Sequence, residues 1–387
     1  MLLAALIPVA LQVAATTPAA TVLCAGDVVP HGDVLASLRA HGAASLLSGV
    51  AGVFARADAV VVNLETPAHP GRPENADGAL RFNAPGTLLD GLAGAGVDVV
   101  SLANNHGYDQ GPEGIAETLR AAASRGMQVV GASEGPTDAR APVEIPLYGR
   151  RLCVMAATRI LNFPVPEPRP GVARLNLARP ERPDEERALL DAVAAASRRC
   201  GAVVVSLHTG SEYGDEPEPR DRPFFRAVAR AGAAAVIGHH SHTPHPIEVV
   251  TVGGREVPLF YSLGNLVSAQ GSAAERAPTR PGDPFQVVRD PRTREGLLAV
   301  LRFAPATENR LALVGWGWLP LWTANDREVA RARGATVTIS AALMPWRGGA
   351  SSVLRARWRH LERRLGAARR YDGPSLPGAD TAYGPSP

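Results

Sequence analysis

Ala234-Ala235-Val236-Ile237-Gly238-His239-His240-Ser241-His242 is the stretch from which the fold can be read. A short, continuous apolar run suits a strand buried on both faces. It ends in a glycine, and only then do polar groups arrive. Three imidazoles within four residues cost burial or protonation unless something binds them, so the segment reads as a metal-binding strand end. If the residues after Gly238 are extended, His240 and His242 share a face and form the ligand pair, with His239 the weaker candidate.

The same grammar repeats along the chain. Thr21 to Cys24 leads to Gly26-Asp27, Ala59 to Asn63 to Leu64-Glu65, Val97 to Leu102 to Asn104-Asn105-His106, and Ala202 to Leu207 to His208. Met127 to Gly131 and Leu152 to Ala157 are further strand-like runs. Between them lie stretches of helical period, such as Gly114 to Arg125 after the Pro112 breaker, Glu185 to Arg199 with an acidic first turn and a basic last turn, and Pro223 to Ala231. The alternation predicts an α/β domain. In such sheets the carboxyl ends of neighbouring strands open into one crevice, so residues far apart in sequence converge there. Carboxylate, carboxamide and imidazole together suit Mn, Fe or Zn, whereas Ca and Mg want nearly all oxygen. Singly each residue has a plainer reading: Asp27 as a cap, Glu65 as an ion-pair partner, His208 as a satisfied core histidine.

After residue 296, Leu297 to Phe303 and Leu311 to Trp318 read as a β-hairpin closing a sheet edge. Residues 162–172 and 270–295, rich in Pro, Gly and Arg, read as long surface loops. Ser351 to Arg370 carries seven arginines with Val353, Leu354, Trp358, Leu361 and Leu365 between them. It is expected to be an amphipathic helix packed on the domain, with contact to anionic lipid or an acidic polymer as the alternative. The expected organisation is a leader over 1–20, one domain over 21–345, and a basic helix and disordered tail over 346–387.

Composition excludes whole mechanisms. The 387 residues hold 40 basic and 37 acidic side chains, and none is lysine. A chain without lysine has no Walker-type phosphate loop, no Schiff-base chemistry and no kinase strand lysine. A net charge of +3 is too small for a nucleic-acid footprint. Cys24, Cys153 and Cys200 sit in apolar stretches without short paired spacings and are expected to be buried core thiols. Met1 to Ala15 is apolar and leads into small residues, which predicts a cleaved secretory leader and an exported or cell-envelope location. No Arg or Lys precedes that run, which keeps a cytoplasmic chain as the alternative.

Six ordered motifs carry a family resemblance: Gly26-Asp27, Asn63-Leu64-Glu65, Ser101 to His106 with Asp109 and Gly111, His208 to Tyr213, Gly238 to His242, and Tyr261-Ser262-Leu263-Gly264-Asn265. Over residues 21 to 268 the chain resembles the CapA family of poly-γ-glutamate capsule biosynthesis proteins, which are similar in fold to calcineurin-like metallophosphoesterases. The resemblance implies a four-layer α/β sandwich of two mixed sheets flanked by helices, and a site for one or two divalent metal ions (Mn, Fe or Zn). It implies Asp27, Glu65, Asn105, His208, His240 and His242 as metal ligands and His106 as the acid that protonates a leaving oxygen. Glu212 and Tyr213 fit the CapA pattern and are implied, with Asp109 and Asn265, to shape the substrate pocket. A carboxylate-bridged metal pair lowers the pKa of water and clamps phosphoryl oxygens, while an imidazole supplies the proton.

The motifs also depart from the phosphoesterase pattern. Val29 stands where a histidine would follow Asp27, Glu65 where an aspartate would bridge, and Ser241 where the family has proline. His31 is a candidate substitute for the missing imidazole. Asp109 is either a partner for His106 or a cap for the following helix. The expected role is synthesis or export of poly-γ-glutamate or a similar anionic surface polymer, with phosphoester or amide hydrolysis as the reaction. Expected partners are an anionic polymer or phosphoester substrate and membrane-associated capsule machinery, with no nucleic acid. Two other readings stand beside it: a non-catalytic metal- or polymer-binding assembly subunit, and a cytoplasmic metallophosphoesterase unrelated to capsules.

Overall fold

A computed structural model describes residues 18–74, 81–134, 138–165, 172–271, 290–344 and 352–365. Most of the expected leader, the middle of both Pro/Gly/Arg-rich loops and the tail lie outside these residues. The described chain runs through β1 (Ala20–Val28), α1 (Asp33–His41), α2 (Ala43–Phe54), β2 (Ala59–Leu64), α3 (Gly86–Gly94), β3 (Val99–Ser101), α4 (Gly111–Ala123) and β4 (Gln128–Val130). Next come β5 (Ala132–Ser133), β6 (Val143–Leu147), β7 (Arg150–Thr158), β8 (Arg174–Leu175), α5 (Pro183–Arg199), β9 (Ala202–His208), α6 (Asp221–Ala231) and β10 (Ala235–His239). The remainder is β11 (Ile247–Val252), β12 (Arg255–Phe260), β13 (Asn265–Val267), β14 (Glu295–Thr307), β15 (Arg310–Asn325), α7 (Arg327–Ala332), β16 (Ile339–Leu343) and α8 (Ser352–Leu365).

Two mixed sheets organise these elements. The first runs β16-β15-β14-β1-β2-β3-β4, with β13 beside the end of β1, and the second runs β11-β12-β10-β9-β7-β6. Strands β1 to β4 are parallel, and β14 joins them antiparallel along β1. Strands β7, β9, β10 and β12 are parallel in the second sheet.

Side-chain alternation builds the layers. Val22 and Cys24 of β1 face the second sheet, while Leu23 and Ala25 face α1 to α3. Leu152, Val154 and Ala156 of β7 likewise face the first sheet, while Cys153, Met155 and Ala157 face α5 and α6. Both faces of these strands are therefore apolar, which is why the runs are continuous rather than alternating. The result is the expected four-layer α/β sandwich of helices, sheet, sheet and helices.

The hairpin is longer than its two apolar runs suggested. Trp316, Trp318 and Trp322 of β15 all pack between the sheets, so pairing continues as far as that core extends. Helix α8 closes the same core with Trp358, Leu361 and Leu365, in keeping with an amphipathic helix packed on the domain.

One expectation about the cysteines is overturned. Cys153 and Cys200 form a disulfide across a sequence separation of 47, and only Cys24 remains a buried free thiol. Cys153 lies on β7 and Cys200 just precedes β9, and these strands are neighbours, so a pair invisible as a spacing is adjacent in space. Burial pushes the Cys24 thiol up to about 12.

Candidate metal centre

The carboxyl ends of β1, β2, β3, β9 and β10 meet at one rim of the sandwich. Two glycines set how closely they meet. A Cβ on Gly26 would run into the carbonyl of Gly264, and one on Gly238 into that of Tyr261. Only glycine allows backbones this near each other, so the following Asp27 and His239 are drawn inward. Asp27 and Glu65 are fully buried, and His208, His239, His240 and His242 are nearly so.

Two donor groups result. Glu65, His208 and His240 form one, and Asp27, Glu65 and His242 the other, with donor atoms in each within 4.8 Å of one another. Metal–ligand bonds of about 2.1 Å separate donors by roughly 3–4.2 Å, so donors within 4.8 Å of one another need only a small inward adjustment to hold a divalent ion. Glu65 is common to both groups. Its Oε1 lies 3.7 Å from His208 Nε2 and 3.8 Å from His242 Nε2. Neither Glu65 oxygen has a hydrogen-bond partner. A buried carboxylate with two unmet acceptors is costly unless a cation satisfies it, and this is the observation that fits a bound cation. Glu144, Cys153 and Cys200 also cluster, but the sulfurs are bonded to each other and are not free to ligate.

The electrostatics agree. Burial pushes the Glu65 carboxyl well up, against the pull of His242. Burial also raises Asp27, yet hydrogen bonds from His239 and His242 outweigh it and hold that carboxyl well below its usual range. His242 goes the other way: burial disfavours its charge, but Glu65 and Asp27 overcome it and raise the imidazole to about 10. Burial, then the charge of His242, depresses His240 to about 3. Burial with His240 lowers His208 as well. The pocket thus demands positive charge beside Asp27 and Glu65 and keeps the other two imidazoles neutral, as ligands must be.

The histidine segment is not extended. His240 and His242 have φ of 95° and 57°, so the shared-face argument fails, and the two rings serve different donor groups. His239 is the last residue of β10, its Nδ1 3.1 Å from Asp27 Oδ1. His31 does not replace the missing imidazole: it stacks on Phe82 and belongs to neither group. Asn105 places Oδ1 2.8 Å from His208 Nε2, at the edge of the first group.

His106 sits beside these groups, tied to Asp109. Its Nδ1 is 2.6 Å from Asp109 Oδ2, which also accepts the Phe82 backbone N–H at 2.6 Å. The two roles open for Asp109 are therefore decided: it partners His106, and α4 begins without a side-chain cap. Phe82 lies flat on the His106 ring at 4.0 Å, and Asn162 Nδ2 is 3.3 Å from Nε2. Asn162 also accepts from Asn105 Nδ2 at 3.1 Å, linking His106 to the first donor group. Neither Phe82 nor Asn162 was singled out from sequence, because each comes from an irregular loop with no pattern.

Asn63 and Asn104 hold the floor. Asn63 donates to Asp27 Oδ1 at 2.9 Å, and Asn104 donates to Asn63 Oδ1 and the Leu64 carbonyl. Asn265 holds His242: its Oδ1 is 3.0 Å from His242 Nδ1, and its Nδ2 donates to Gln270, Thr293 and His242 carbonyl oxygens. Its polar atoms are thus taken up inside the protein. Glu212 is exposed at the mouth, 3.8 Å from His242 Nε2, and Tyr213 stacks against His242 at 5.8 Å with φ of 61°.

The family model described as bacterial capsule synthesis protein PGA_cap matches residues 21–270. The PGA biosynthesis protein CapA of Bacillus subtilis (strain 168) is 29% identical over 250 residues, covering 64% of this chain and 62% of that protein. The capsule biosynthesis protein CapA of Bacillus anthracis is 28% identical over 260 residues, covering 65% and 60%. The matched stretch thus spans about three fifths of the length of these relatives. Among solved structures, a hypothetical protein from Thermus thermophilus is 17% identical with a TM-score of 0.42, covering 78% of this chain and 98% of that one.

Proposed function

The chain belongs to the bacterial capsule synthesis protein PGA_cap family, and from that premise we propose that it is a metal-dependent hydrolase serving synthesis or export of poly-γ-glutamate or a similar anionic surface polymer. The observation that carries the hydrolase half is Glu65, buried with both oxygens unpartnered between two donor groups. Asp27, Glu65, His208, His240 and His242 would hold one or two Mn, Fe or Zn ions, which supply Lewis acidity and a lowered pKa for water when bound.

The chain's own residues do the rest. His106 donates its Nδ1 proton to Asp109, which fixes the ring and leaves Nε2 to carry the proton for a leaving oxygen or nitrogen. Phe82 against one ring face excludes water, and the Asn162 amide, 3.5 Å from Nδ1 and 3.3 Å from Nε2, packs against the ring and is itself held by Asn105. Glu212 and Tyr213 stand at the mouth, where a substrate passes. The Cys153–Cys200 disulfide supports an extracytoplasmic location, since such bonds persist in oxidising compartments.

The test is metal content per chain by elemental analysis, with a hydrolysis panel of phosphoesters and γ-glutamyl amides. Near two ions per chain, lost in His240→Ala and His242→Ala together with turnover, is the expected result. A chain that binds no Mn, Fe or Zn after loading would overturn the hydrolase reading and leave a polymer-binding subunit.

A further inference from the structure

Beside the metal centre lies a cleft of about 780 Å³ whose walls share residues with the His106 side of the site. The sharing is pairwise. Phe82 stacks on His106 while the preceding Arg81 lines the cleft, and Asn162 contacts His106 while the following Phe163 lines it. Asp109 belongs to both, binding His106 and lining the cleft. A chain lying in the cleft would therefore run up to the imidazole that delivers the proton.

The charges in the cleft are mostly matched. Arg72 pairs with Glu113 at 2.8 Å, and Arg120 with Glu117 and Glu134 at 2.5 Å each. Arg81 is the exception: its guanidinium lies over the Phe163 ring at 4.2 Å and forms no ion pair with any described residue. An arginine laid flat on an aromatic ring keeps its N–H edge outward and preorganised for a carboxylate or phosphate. The wall also presents acceptors, Glu113 and Glu134, alongside the arginines. Glu113 and Glu134 each give one oxygen to an arginine and keep the other as an acceptor, for which a phosphodiester backbone has no donor. A peptide chain bearing carboxylates offers both, a carboxylate for Arg81 and amide N–H groups for the acidic side chains.

We propose that this cleft is the binding subsite for an anionic γ-glutamyl chain, with Arg81, supported by Phe163, holding a carboxylate of the chain next to His106. The proposal rests on the polymer reading above and adds to it where the polymer lies and which residue selects it. Arg81 is a specificity residue here and takes no part in metal binding.

The experiment is calorimetric titration of the metal-loaded full chain with γ-linked pentaglutamate, α-linked pentaglutamate and inorganic polyphosphate. It is run on the wild type, Arg81→Gln and Phe163→Ala, with metal content and thermal stability measured on each. Expected is binding of the γ-linked peptide that weakens at least tenfold in Arg81→Gln and severalfold in Phe163→Ala, with both variants folded and fully metal-loaded. Polyphosphate should bind more weakly and respond little to Arg81. If the γ-linked peptide binds the wild type and Arg81→Gln equally, the cleft assignment falls while the polymer reading stands. If polyphosphate binds and neither peptide does, both fall. Equal binding of α- and γ-linked peptides overturns the γ-glutamyl part of the proposal.

Discussion

Asp109 and His106 are joined at 2.6 Å, carboxylate Oδ2 to imidazole Nδ1, with Asp109 buried and fixed by the Phe82 backbone N–H. An imidazole oriented in this way keeps Nε2 in one position and one protonation role. Asp109→Asn retains the size but not the charge. It is expected to lower hydrolytic turnover by about 10²-fold or more while leaving metal content unchanged. Turnover within threefold of wild type would remove His106 from the proposed acid role.

Glu65 gives a prediction whose sign depends on metal. Without ions burial pushes the Glu65 carboxyl well up, and holding it neutral near pH 7 costs free energy that a glutamine does not incur, so Glu65→Gln is expected to stabilise the metal-free protein, by about 1–3 kcal/mol. With Mn or Zn present the order reverses, because only the wild type gains the stabilisation that binding supplies. Thermal unfolding of both proteins, with chelator and with metal, checks this; parallel curves in both conditions would contradict it.

Glu295 belongs to neither donor group and sets a pH dependence. It is buried beside Arg357, at 3.2 Å, and burial raises its carboxyl to about 8 despite that cation. The folded state therefore holds a proton that the unfolded chain has released above its ordinary value near 4.5. Its contribution is full below about 4.5 and is lost as pH rises through about 8. Denaturant titrations across pH 5 to 9 should show a falling trend that is flatter in Glu295→Gln.

Helix α8 braces the mouth of the site. Arg364 reaches back to Asp215 at 2.7 Å and to the Gly214 carbonyl at 3.2 Å, and Arg292 donates to the Tyr213 carbonyl at 3.2 Å. Arg364→Ala should raise amide hydrogen exchange in the Glu212–Asp215 segment while sparing the β-strand cores. It should also weaken metal binding severalfold through His242. Unchanged exchange there would mean the loop holds itself.

The disulfide closes a loop of 47 residues between adjacent strands. Chain-entropy reasoning puts its worth at about 4 kcal/mol, an upper value. Reduction, or Cys153→Ala with Cys200→Ala, should lower the denaturation midpoint without altering metal content.

Much of the architecture was readable because strands buried on both faces leave continuous apolar runs, as at Val60–Val62 and Val203–Val205. The polar residues after each run were readable too, since parallel strands aim their carboxyl ends at one crevice. What escaped notice depended on three-dimensional detail. The division of His240 and His242 between two donor groups follows from left-handed backbone at both residues, which no pattern of residue types announces. Phe82 and Asn162 reach His106 from loops whose course is set by packing elsewhere. The Cys153–Cys200 pairing required knowing that β7 and β9 are neighbours.

Each donor group draws on both sheets, with Asp27 and Glu65 from the first and His208, His240 and His242 from the second. Ions held there would work as rivets across the seam between the two slabs. Their binding energy would resist sliding of one sheet over the other and contribute little against the fraying of any single strand. Removing them should therefore make the molecule more compliant in one direction, with the two slabs shearing at the rim while each keeps its own ladder of hydrogen bonds.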